Sequence, residues 1–108
     1  NQGILLLKRV IKDGDQYERT AAAKLLLQSV KNNKTLIDFA LHTLRDEARQ
    51  KYGYARAVLG RELIMLARDN GEIEEGFEWL QMDAEAGNKY SQYQLTHHFQ
   101  EKNCMLLL

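Results

Sequence analysis

The sequence predicts an all-α fold, a right-handed solenoid of about three stacked antiparallel helical hairpins, and three observations carry that expectation. The first is an internal repeat. Tyr17, Tyr54 and Tyr90 recur 37 and 36 residues apart, and Leu7, Leu44 and Leu80, then Ile11, Ala48 and Ala84, keep the same step. A period of about 20–50 residues marks an array of units, each unable to bury its apolar face alone. The second is apolar spacing of three and four residues along the chain, with no sustained alternation of the strand type. The third is punctuation: there is no proline, and short Gly, Asn and Asp turns separate the periodic stretches.

The elements follow in order. Helices are expected over 2–12, 16–31, 35–50, 54–68, 72–86 and 89–102. Ile4, Leu7 and Ile11 give the first its inner face; Gly14 stops it, and Asp15 is placed to cap the second. The second should turn Ala21, Ala22, Leu25, Leu26 and Val30 inward, and Asn32-Asn33 should end it. Leu36, Ala40, Leu44 and Ala48 line the third, and Ala55, Val58, Leu59, Leu63 and Leu66 the fourth. Asp69-Asn70-Gly71 reads as the clearest turn. Ile73, Phe77, Leu80 and Ala84 line the fifth helix; Gly87-Asn88 turns the chain into the sixth. Helices this short, joined by two to four residues, make antiparallel neighbours. Residues 1–108 form one helical-repeat domain, with units at 16–51, 52–87 and a partial 88–108, preceded by a partial 1–15. Gly60 shares its register position with Ala23, and Gly76 with Gly3 and Ala40, which predicts close backbone approach between paired helices.

Composition narrows the function classes. Fifteen basic residues balance fifteen acidic ones, so no global field draws the chain to nucleic acid. Lys8-Arg9, Arg45, Arg49 and Lys51 lie among acids rather than in a one-signed stripe. A lone cysteine, Cys104, forms no internal disulfide, and both a cytoplasmic and a periplasmic location stay open. The longest apolar runs, Ile4–Leu7 and Cys104–Leu108, are far short of the roughly 20 residues of a membrane span. The first helix is nonetheless apolar nearly all round, and self-association through both apolar ends is expected. No targeting signal is visible; with Asn1 in first place, we expect the chain to belong to a longer protein.

The stretch from Gly53 to Leu95 resembles the Sel-like (Sel-one-like) repeat, a relative of the tetratricopeptide repeat. The residues that carry the likeness are Ala55-Arg56-Ala57-Val58-Leu59-Gly60, Gly71-Glu72-Ile73, Gly76-Phe77-Glu78-Trp79, Asp83-Ala84-Glu85-Ala86-Gly87 and Ser91-Gln92-Tyr93-Gln94-Leu95. Gly76 replaces the family's alanine, and Asp83 one of its Ala-Ala pair. In the preceding unit Thr43 stands at the tryptophan position and Lys51 at the glycine. The resemblance implies stacked α-hairpins and adaptor or scaffold roles, often in bacteria; it does not imply a reaction, and no cofactor is expected.

Residue chemistry points the same way. His97, His98 and Cys104 form the one ligand-like group, and an enzyme or metal protein built on them is the rival class. Adjacent helical residues diverge by about 100°, and structural zinc takes four ligands. Glu74-Glu75 and Asp46-Glu47 read as solvated or first-turn charges, and no phosphate loop, catalytic Ser-His-Asp order or dinucleotide fingerprint is present. Trp79 reads as core. The repeat aligns a column of Tyr17, Tyr54 and Tyr90 beside a basic row of Lys24, Arg61 and His97, with Tyr93 between them and Ile64 beyond. Aromatic and arginine side chains are what binding hot spots favour. The expected function is therefore a protein–protein interaction module that takes a protein or peptide segment, acidic in character, along the concave side. Arg61 is the expected anchor. The alternative is a small inhibitor or immunity-type protein that covers an enzyme.

Overall fold

The computed structural model describes the backbone of residues 2–107 and the side chains of residues 2–98. Within that span the chain forms six helices and no strand: α1 (Gln2–Asp13), α2 (Gln16–Ser29), α3 (Lys34–Arg49), α4 (Gly53–Leu66), α5 (Asn70–Glu85) and α6 (Lys89–Leu107). Each packs on its neighbours in sequence, and α4 also packs on α2 and α6. The Cα envelope measures 45 × 31 × 18 Å; its short axis suits two helix layers about 8–10 Å apart.

Local chemistry sets the boundaries. Asp15 caps α2 in a reciprocal box with Glu18: its carboxylate accepts from the Glu18 N–H, and the Glu18 carboxylate accepts from the Asp15 N–H. Asn33 caps α3 by accepting from Leu36 N–H, and Asp69 caps α5 by accepting from Glu72 N–H. The expected turn at Asp69-Asn70-Gly71 lies earlier, with Ala67 left-handed at φ 49°. Asp69 is the cap, so Asn70 and Gly71 join the first turn of α5, where their N–H groups need no intrahelical acceptor.

The core is one cluster running from Ile11 through Leu26, Leu41, Leu44 and Leu59 to Leu63, with Trp79 packed partly buried against it. One expectation fails in α2. Leu25 is 51% exposed and Ala21 half-buried, while Thr20, Ala22, Ala23, Leu26 and Leu27 are buried. Helices α1, α3 and α4 all press on α2, and their combined cover is centred on Ala23 and Leu27 rather than Leu25.

Helices α4 and α5 pack antiparallel through paired glycines. A Cβ on Gly60 would lie 2.8 Å from the Gly76 carbonyl oxygen and 2.7 Å from Leu80 Cγ, and one on Gly76 would lie 2.7 Å from the Gly60 carbonyl oxygen. The equivalent residues of α2 and α3, Ala23 and Ala40, are fully buried.

Long side chains bridge α3 to α5. The Arg45 guanidinium donates to Glu75 at 2.9 Å and to Glu72 at 3.2 Å; Arg68 donates to Glu72 at 2.7 Å and Asp38 at 2.8 Å; the Trp79 indole donates to Glu75 at 3.0 Å. The Arg68 bonds hold the Glu72 carboxyl below the 4.5 of a free glutamate, against a partial burial that opposes them. Arg45 does the same for Glu75, helped by Trp79. The unfolded chain thus holds these protons more tightly than the folded one. The stabilisation is complete above 4.5 and is lost as pH falls through the lowered folded values. We expect the urea midpoint to fall between about pH 5 and about pH 3, and less steeply in Glu72→Gln. Parallel curves for the two proteins would remove the network from the account of acid stability.

Candidate functional site

Four of the eight residues singled out in the sequence line one groove. A groove of about 370 Å³ opens between α2, α4 and the start of α6. Lys24 comes from α2, Tyr54 and Arg61 from α4, and Tyr90 from α6; Ala57 and Val58 form its floor. The helical rise explains the convergence. Tyr54, Ala57, Val58 and Arg61 follow one another at steps of three, one and three along α4, which keeps them on one side.

The other four expected residues, Tyr17, Ile64, Tyr93 and His97, do not line this groove. Tyr17 is 62% exposed and stacks on Tyr54, with ring centroids 5.5 Å apart, while Tyr52 meets Tyr54 edge-on at 6.2 Å. Burial raises the hydroxyl pKa of Tyr54, with Tyr17 adding to it, and burial also raises that of Tyr52, so both rings stay neutral donors at neutral pH. Tyr93 and His97 are exposed on α6 and stack with centroids 6.1 Å apart. Ile64 leans towards α5: its Cγ1 lies 2.9 Å from where a Gly76 Cβ would stand.

Three lining groups escaped the sequence reading: Val58 as floor, Glu62 and Asn88. Glu62 is 6% exposed and accepts from Arg61 Nη1 at 3.0 Å. The expected anchor therefore already holds a carboxylate. The signal was available, because Glu62 sits three residues after Leu59 and seven after Ala55, on the buried arc of α4. Asn88 starts α6: its Oδ1 accepts from Tyr90 N–H at 2.9 Å and Ser91 N–H at 3.4 Å. That leaves the two amide N–H donors of Asn88 for the groove. Lys24 makes no ion pair with any described residue. The groove thus combines two tyrosine walls, an aliphatic floor, and two cations against one buried carboxylate.

The rival metal or catalytic group is only partly in view. His98 is buried with its ring edge-on to Phe77 at 6.4 Å, and its centroid lies 5.3 Å from that of His97. Cys104 lies outside the described side chains, as do Met105 to Leu108 of the apolar end. Among the described residues no three His, Cys, Asp or Glu side chains cluster to hold a metal ion, and no helix is long and apolar enough to cross a membrane. At the other end Leu5 and Leu6 are 65% and 61% exposed. Comparison with protein-family models, curated proteins and solved structures finds no significant match to this chain.

Proposed function

We propose that the chain is a protein–protein interaction module, an adaptor or scaffold of Sel-like type that binds a partner segment in the groove between α2, α4 and α6. The observation that carries this reading is the convergence of Lys24, Tyr54, Arg61 and Tyr90, drawn from three successive units, on one cleft. A patch assembled from register-equivalent positions is what a stack of hairpins offers an extended ligand.

Backbone details support the solenoid reading beneath it. Asn33 and Asp69, one repeat apart, cap α3 and α5 in the same way. Lys51 and Gly87, also one repeat apart, both adopt positive φ, 66° and 101°. The buried Ala23 and Ala40 of one hairpin correspond to Gly60 and Gly76 of the next. Positive φ disfavours a residue with a Cβ, so Lys51 keeps the turn geometry although the family's glycine is gone.

Affinity capture from the source proteome tests the reading. Tyr90 is 48% exposed, so Tyr90→Ala should leave the fold intact and weaken the captured partner by about 2 kcal/mol, as hot-spot aromatics do. Arg49→Ala, at the exposed end of α3, is the control and should capture as wild type does. Equal capture by both variants would place the binding surface elsewhere.

A further inference from the structure

We propose that Glu62 sets the charge selectivity of the groove: it holds Arg61 back, so that Lys24 and the Asn88 amide receive one carboxylate, carried by an extended partner segment beside an apolar side chain. This rests on the groove reading above and replaces its expected anchor. Arg61 and Glu62 are unequally placed. The Glu62 side chain is 8% exposed and that of Arg61 35%. A ligand that drew the guanidinium away would leave a buried carboxylate without its counter-ion, which costs more than an exposed pair returns. Arg61 is therefore committed to the fold.

Lys24 is not committed. It pairs with no described carboxylate and lines the same cleft as the Asn88 amide. The helix cap consumes the Asn88 oxygen and leaves only donors, so this end of the groove favours an acceptor. Next to it lie Ala57 and Val58, between Tyr54 and Tyr90, a place for an aliphatic side chain. With Glu62 in place the groove carries a net single positive charge, which suits a carboxylate and opposes a phosphoryl dianion. Glutamine at position 62 would keep an acceptor for Arg61, remove the negative charge and free the guanidinium for the ligand.

The test uses the full chain and three capped peptides, Ac-Leu-Asp-Leu-NH2, its Asn counterpart and its phosphoserine counterpart. Binding is followed through the Ala57 and Val58 methyl resonances. Wild type should prefer the Asp over the Asn peptide by about tenfold, roughly what one charge-assisted contact gives. Lys24→Gln should abolish that preference; Lys24 has no partner within the described fold, so this variant tests the receiving cation with the fold intact, and the refusal of the phosphoserine peptide by wild type tests Glu62 if the other variants unfold. Glu62→Gln should strengthen the Asp peptide several-fold and admit the phosphoserine peptide. Removing both members of the pair, in Arg61→Gln/Glu62→Gln, should leave the Asp preference in place. The proposal is overturned if wild type binds the Asp and Asn peptides equally or binds neither. It is also overturned if the preference survives Lys24→Gln, or if wild type takes the phosphoserine peptide best. Partner capture that remains sensitive to Tyr90→Ala would then leave the wider groove reading standing, and capture insensitive to it would remove both.

Discussion

Gly60→Leu is expected to unfold most of the molecule at room temperature, or to lower its melting temperature by well over 10 °C. At this position helix propensity and packing pull in opposite directions, and their sizes decide the sign. Glycine inside a helix costs about 1 kcal/mol relative to alanine, so any side chain gains something locally. Against that, the first carbon added at Gly60 would already stand 2.8 Å from the Gly76 carbonyl oxygen and 2.7 Å from Leu80 Cγ. The oxygen belongs to the backbone of α5 and cannot swing aside, and Leu80 is itself fully buried. Overpacking of this kind costs about 1–3 kcal/mol for small additions and more for a branched one that must separate two helices. A chain of this size has about 5–15 kcal/mol in all. Even Gly60→Ala should therefore be destabilising, where propensity alone predicts the reverse. Gly71→Ala, in the exposed first turn of α5, should stay within about 1 kcal/mol of wild type. Circular dichroism melts of the three variants settle the matter. A Gly60→Leu protein melting within a degree or two of wild type would mean that α4 and α5 can separate freely, and that the paired glycines do not govern their packing.

The fold was legible where its causes are local. Asp15 acts on an N–H three residues away and its place in the sequence marks the start of α2; Asn33 and Asp69 act in the same way, but read as a helix end and a turn, and α3 and α5 start one and two residues before the expected 35 and 72. The Gly60–Gly76 contact was legible because small residues recur at spacings of 36 and 37 in the sequence, Ala23 with Gly60 and Gly3 with Ala40 and Gly76. The rotation of α2 was not. Ala21-Ala22-Ala23 and Leu25-Leu26-Leu27 are apolar in every helical phase, so only the neighbouring helices select which face is covered. Buried polar residues are equally silent in an apolar pattern: Thr20, Thr43, Glu47 and Asp83 all lie in the interior. The groove divided along the same line. Lys24, Tyr54, Arg61 and Tyr90 recur with the repeat and could be aligned. Glu62 meets Arg61 although adjacent helical side chains diverge, and only the length of the arginine closes the gap. The ties between Arg45 and Glu75, 30 residues apart, depend on the relative placement of two helices, which no local spacing encodes.

The buried ion pair at the base of α2 and α3 should show the largest difference between single and double substitution. Arg19 Nη1 donates to Glu47 Oε1 at 2.6 Å, and Arg19 Nη2 lies 3.6 Å from Asp46. The Glu47 side chain is 1% exposed, that of Arg19 27%. Taking a carboxylate this far from water costs several kcal/mol, which the pair recovers only while both members remain. Arg19→Ala should therefore cost about 3–5 kcal/mol, much of it from the stranded Glu47. The pair itself is not fully compensated, since among the described residues no group meets Glu47 Oε2, Arg19 Nε or the nearby Thr20 Oγ1. Replacing both residues by hydrocarbon of similar size, in Arg19→Met/Glu47→Leu, removes the desolvation cost together with the attraction. That double variant should lie within about 1 kcal/mol of wild type or above it. Urea unfolding of the four proteins of the cycle gives the coupling directly, because neither single variant is expected to be mild. If the double variant is as unstable as the sum of the singles, the charges are not acting as a pair, and Arg19 holds α2 to α3 mainly through the packing of its aliphatic stem.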